Sequence, residues 1–185
     1  MSTFKNKNRG FSLLESMVAI TILLVAVVGP LSTIGDSLSQ IYIARDQMVA
    51  INLAQEGVEA VRQIRDSDMS KGWKEGDTRA TPWNVTIGSA SKFYTIDVTT
   101  EPSLRECSLC ATNSSIPTLK QDAVGLYGST GVSDTKFRRV IQVEPITGSP
   151  DEVKITSTVF WKTSGGSERR IDVTESLFGI NTVTP

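Results

Sequence analysis

Hydrophobic and polar positions divide this chain into stretches with different periods. From Phe11 to Gly35 the only ionisable side chain is Glu15, in a run that is otherwise largely apolar. A helix of about 20 such residues crosses a bilayer core. Gly29-Pro30 interrupts the run, and a proline inside a helix removes a hydrogen bond, which predicts a kink there. Beyond it, Leu38, Ile41, Ala44, Met48, Ile51, Ala54, Val58, Val61 and Ile64 recur at three- and four-residue steps with charged residues between them. That is the stripe of an amphipathic helix, ending near Asp66. Residues 67–82 are turn-rich and read as a loop, with Trp73 and Trp83 over a sheet edge. The period then changes to two. Trp83–Ile87 and Phe93–Thr100 predict a hairpin across Gly88–Lys92. Phe137–Glu144, Glu152–Lys162 and Arg169–Leu177 predict an antiparallel meander with turns at Thr147–Pro150 and Ser164–Ser167. Glu101–Lys136 shows no period and reads as irregular. The fold class is α+β, with one long N-terminal helix laid on an antiparallel sheet.

Charge orients the apolar run. Lys5, Lys7 and Arg9 precede it and hold that end in the cytoplasm, so the rest of the chain faces outward. Glu15 is costly in this setting, at roughly 2.5 kcal/mol or more for a charge at the centre of a membrane helix. Cleavage after Gly10 would offset that cost. It would create an ammonium on Phe11, one turn from Glu15 and at the positive end of the helix dipole. The same carboxylate could pair with the ammonium of a neighbouring subunit. The plainer reading leaves Glu15 among the headgroups. A secretory signal peptide removed near Gly29 is a further alternative, opposed by Pro30 at the required cleavage site.

At these residues the chain resembles a known family. Gly10, Phe11, Ser12, Leu13, Leu14 and Glu15 are similar to the processing signal of type IV pilins and type II secretion pseudopilins. The resemblance implies a pilin-like fold and cleavage between Gly10 and Phe11 by a prepilin peptidase, which also methylates the new amino terminus. It implies that Glu15 acts in docking and helix register, and that the helix bends or melts near Gly29 and Pro30. It divides the chain into a leader (1–10), a transmembrane or filament-core helix (11–35) and a periplasmic or extracellular head (36–185). The implied partners are other pilin or pseudopilin subunits, the peptidase, inner-membrane assembly machinery and the lipid bilayer. The implied location is the inner membrane, with the head outside, and then a filament. Leu53–Asp66 resembles the helix of a subset of minor pilins, which favours a minor subunit.

Composition adds exclusions. The 185 residues suffice for one domain with a sizeable core, and 175 remain after cleavage at Gly10. Net charge is −1 for the chain and would be −4 once Lys5, Lys7 and Arg9 are removed, which argues weakly against general nucleic-acid binding. There is no histidine, so the commonest triads and the commonest metal ligand are missing. Cys107-Ser-Leu-Cys110 could be half of a zinc site, a redox pair or a local disulfide. With no second ligand pair and no βαβ setting, the disulfide is preferred. No catalytic, metal or cofactor site is expected. A second function class is a tip-displayed adhesin or DNA receptor, using a basic patch of Lys136, Arg138, Arg139, Arg169 and Arg170. Ordinary surface charges flanking strands are the preferred reading of those residues.

Overall fold

A computed structural model describes residues 12–72, 91–98, 102–163 and 165–178. Helix α1 spans Leu13–Gly72 as one 60-residue element with Pro30 inside it. It runs about six residues past the expected end at Asp66. Two units divide within it, one up to Arg45 and one from Asp46 onward.

In the second unit, α1 lies against a sheet of seven strands, all paired antiparallel. In chain order these are β1 (Lys92–Asp97), β2 (Ser103–Glu106), β3 (Thr118–Gln121), β4 (Tyr127–Gly128), β5 (Ser133–Ile146), β6 (Ser149–Lys162) and β7 (Glu168–Phe178). The expected meander is β5–β6–β7. Ile141 faces Ser157 across β5–β6, and Ser157 faces Val173 across β6–β7. Thr147 and Gly148 turn the first hairpin, with Gly148 at φ 90°, where glycine alone is unstrained. On its other edge β5 carries two partners end to end. β1 pairs with 141–143 and β3 with 133–138.

Two expectations are corrected. Residues 101–136 are not irregular throughout, since they hold β2, β3, β4 and the start of β5. Strands of two to four residues are too short to show alternation, and the long edge of β5 organises them. The helix stripe is also out of phase in its first part. Leu38, Ile41, Ala44 and Met48 are exposed, and the buried positions there are Ala50, Leu53 and Ala54, followed by Gly57 and Val58. Small residues win this face because they let the helix lie close to the sheet. The expected strand Trp83–Ile87, its turn through Ala90, and Trp73 lie outside the described residues.

The alternation of β6 is reproduced in its burial. Val153, Ile155, Ser157, Val159 and Trp161 are all at most 3% exposed and face α1. Two clusters fill this layer. Ala50, Leu53 and Ala54 meet Leu119, Phe137, Val159 and Trp161. Ala60 and Val61 meet Tyr94, Ile96, Ile141, Val143, Ile155 and Leu177. The opposite face of the sheet is covered by the segment around Cys107–Ile116, where Cys110 and Ile116 bury Val140 beside Phe93 and Phe160. Cys107 and Cys110 are joined, with Cα atoms 5.3 Å apart.

Burial of Tyr94 has a measurable consequence. Desolvation raises its phenol pKa above 10.0, with nearby Lys92 opposing the rise. The folded state then holds the proton in a range where the unfolded chain has begun to lose it, so stability falls as pH rises through and beyond about 10. Lys92, raised by its bond to Glu106, adds a fall of the same sign above 10.5. Urea melts between pH 8 and 11 should therefore show an alkaline loss of stability that is shallower in Tyr94→Phe. Equal slopes in the two proteins would refute the assignment.

Candidate functional site

The first unit is the apolar part of α1. Its large side chains point outward without partners: Leu13 is 78% exposed, Val25 75% and Ile22 65%. Three of its hydroxyls, by contrast, are turned inward onto the backbone. Thr21 Oγ1 donates to Val18 O at 2.8 Å, Thr33 Oγ1 to Gly29 O at 3.3 Å and Ser37 Oγ to Thr33 O at 2.8 Å. A stretch that bonds several of its own hydroxyls and presents mostly hydrocarbon suits a lipid or a bundle of like helices. One 18-residue window reaches a mean hydropathy of 2.4, enough for a membrane span by length and composition.

Glu15 stands in the first turn of α1 and is exposed. The first-turn amides point toward that end, so a carboxylate is favoured there. Gly10 and Phe11 lie outside the described residues. Gly29 and Pro30 sit within the continuous helix. Thr33 Oγ1 adds a second donor at the Gly29 carbonyl, one turn on.

Residues 5–29 match the family model for the prokaryotic N-terminal methylation motif. The chain carries a prokaryotic N-terminal methylation motif. The match covers the basic residues, Gly10, Phe11, Glu15 and the apolar run up to Gly29, and is consistent with the type IV pilin and pseudopilin family. An apolar N-terminal helix bearing the methylation motif fits membrane anchoring, assembly with other pilin-type subunits and processing by a prepilin peptidase. No curated protein and no solved structure matches the chain.

The basic patch weighed in the head is broken up, with Arg169 and Arg170 left exposed on β7. Arg139 is 2% exposed and faces α1. Lys136 pairs with Asp46 at 2.5 Å, Arg138 with Glu168, and Arg170 with Asp172 at 3.5 Å. The alternation of β5 holds the reason. Residues 137, 139, 141 and 143 share the inward face, so Arg139 enters the core while Arg138 stays out.

Arg139 is instead a junction. Its Nη1 donates to Leu53 O at 2.9 Å and Glu56 Oε2 at 2.6 Å, and its Nη2 to Ile96 O at 3.3 Å. It thus ties α1 to β5 and to the end of β1, where β1 and β3 part. Gly57 lies beside it, and a Cβ there would come within 2.6 Å of Ser157 Oγ and 2.9 Å of Ile141 Cδ1. An isolated glycine in a helical pattern was the signal that could have marked this contact.

Proposed function

We propose that this chain is a minor pilin or pseudopilin, cut between Gly10 and Phe11, methylated on Phe11 and assembled into a type IV pilus-like filament or secretion pseudopilus. The observation that carries the reading is the coincidence of the methylation motif at 5–29 with an apolar run whose large side chains, from Leu13 to Ile34, are exposed. On this reading the subunit waits in the inner membrane on its apolar helix, with the head outside. Assembly moves the helix from lipid into a bundle, an exchange between two apolar surroundings that costs little. Specificity then comes from the one charge. Glu15 meets the ammonium of Phe11, and in low dielectric a misplaced carboxylate is heavily penalised, so the pair sets axial register. The protein works through assembly and not as an enzyme.

The test is the mature amino terminus of the chain expressed with and without a prepilin peptidase. The expected product begins at N-methylated Phe11 only when the peptidase is present, and Gly10→Val blocks its formation. A chain that keeps Met1 under both conditions, or begins near Pro30, would overturn the reading. Glu15→Ala is expected to be processed normally but to drop at least about tenfold in filament incorporation, as a lost charge pair of about 1.4 kcal/mol or more predicts.

A further inference from the structure

β1 and β3 leave a hole in the sheet. Both run along one edge of β5, where Tyr94 of β1 faces Ile141 and Thr118 of β3 faces Arg138. Between these two pairs, Arg139 and Val140 face neither strand. The gap opens into a cavity of about 470 Å³, within the usual range for small-molecule sites. Thr95, Ile96 and Asp97 all line it. Successive residues of a strand point to opposite faces, so the cavity passes through the plane of the sheet. Its floor is buried: Ile96, Leu119 and Arg139 are at most 6% exposed. Its rim is open, with Ser103, Arg105, Thr118 and Ser129 exposed around the mouth.

The polar groups at floor and rim ask for different partners. Arg139 uses both Nη groups on Leu53 O, Glu56 and Ile96 O, while its buried Nε makes no hydrogen bond. A buried donor left in this way is costly, and an acceptor entering the cavity would remove the cost. Glu56 already balances the charge of Arg139, so an uncharged oxygen is enough there. Arg105 is the opposite case. It stands on β2 across from Thr95, and its guanidinium has no ion-pair partner among the described residues. The other rim charges are engaged. Glu106 pairs with Lys92 at 2.8 Å, and Asp97 accepts from the Ser129 hydroxyl. A carboxylate has room for more than one donor, so Asp97 can take another.

We propose that this cavity binds a small hydroxylated carboxylate, of the chemical class of a sugar acid. The carboxylate of the ligand meets Arg105 at the rim, where the planar fork of a guanidinium matches its two oxygens. An oxygen of the sugar accepts from Arg139 Nε at the floor, and a hydroxyl donates to Asp97. Ser103 and Thr118 can each donate or accept, which suits the remaining hydroxyls. A bare anion would leave the Arg139 donor unmet, and a neutral sugar would leave Arg105 unmet. The site lies within the head and does not depend on how the chain is anchored or assembled.

The experiment uses the full chain in a neutral detergent, with its arginines labelled with nitrogen-15, and follows the Nε–H resonance of Arg139. That resonance is identified by its loss when Arg139→Met is combined with Glu56→Gln. Galacturonate is expected to shift it and to saturate with a Kd near or below about 1 mM, a modest affinity for a site open to solvent. Galactose, which lacks the carboxylate, should bind at least about tenfold more weakly, as the loss of one charge-assisted pair predicts. Acetate, which lacks the hydroxyls, should leave the resonance in place. Arg105→Ala should keep the urea midpoint of the parent and lose the preference for galacturonate over galactose. Ser103→Trp, at the mouth, should abolish both responses. No shift with about 50 mM galacturonate, an equal response to acetate, or an undiminished preference in Arg105→Ala would overturn the proposal. So would a lowered urea midpoint in Arg105→Ala, which would show that its side chain serves the fold.

Discussion

Replacing Arg139 with alanine should lower the stability of the head by about 3–5 kcal/mol, the range for breaking a buried charge network by removing one partner. Its side chain is fully buried, and three of its contacts cross between elements. Truncation leaves a cavity between α1 and β5 and strips the Leu53 and Ile96 carbonyls of their charged donor. Glu56, 40% exposed, can recover water when its partner goes. The reverse change is different in kind. Glu56→Ala leaves the guanidinium buried with only carbonyls for company, and a cavity lies beside it where strands β1 and β3 diverge. That cavity holds about 470 Å³ and is lined by Ile96, Leu119 and Arg139. A loss of about 2–3 kcal/mol is expected there, since part of the lost pair was already screened by solvent. Arg139→Met with Glu56→Gln keeps the volume and removes both charges, so it should sit within about 1.5 kcal/mol of the wild type. Urea unfolding of the full chain in detergent, followed by near-ultraviolet dichroism, orders the three variants. A loss below about 1 kcal/mol for Arg139→Ala would show that the junction adds little.

Gly57→Val is the second large effect. Any Cβ at 57 meets Ser157 Oγ at 2.6 Å, Ile141 Cδ1 at 2.9 Å and Arg139 Cδ at 3.2 Å. All three are side-chain atoms, so a lone methyl can be accommodated by small rotations. The helix propensity gained by Gly57→Ala, about 1 kcal/mol, then roughly cancels the crowding. Valine adds two methyl groups with one preferred rotamer and nowhere to place them. It should lever α1 off β5 and β6 at a cost of about 3 kcal/mol. Ser157 gives an internal control. Its hydroxyl is buried and makes no hydrogen bond, so Ser157→Ala removes both the nearest obstacle and an unsatisfied polar group. It should stabilise the Gly57→Ala protein by about 1 kcal/mol. The same urea melts decide it: a Gly57→Val protein as stable as its parent would mean that the helix does not press on the sheet here.

The parts of the fold that could be read in advance are those whose pattern repeats over a long element. β6 shows its buried face in five alternating residues because it is paired on both edges. The apolar run of α1 needs only composition. The stripe between Leu38 and Ile51 misled because size mattered more than hydrophobicity. Ala50, Ala54 and Gly57 make the close contact, while Met48 and Ile41 stay outside. Arg139 looked like one charge among several on a basic strand, and only its parity along β5 separates it from Arg138. The cover over Val140 was hidden because Cys107–Ile116 has no period, and its irregular backbone is held by a sheet formed from other segments. Of the residues proposed for processing and assembly, Glu15 lies in the first turn of α1, while Gly10 and Phe11 lie outside the described residues and rest on the motif alone.

The link from Arg139 to Glu56 spans 83 residues of chain, and that from Arg62 to Glu175 spans 113. β5, β6 and β7, by contrast, follow one another through short turns. Loop closure over such separations is slow and local hairpins are fast, so the meander is expected to form first and the helix to dock onto it late. Until then Arg139 is hydrated and the small-residue face of α1 has nothing to lie on. Docking must therefore strip water from a guanidinium and seat a helix in a single event. That event is expected to limit the folding of the head, and a chain caught before it exposes the small-residue face of α1.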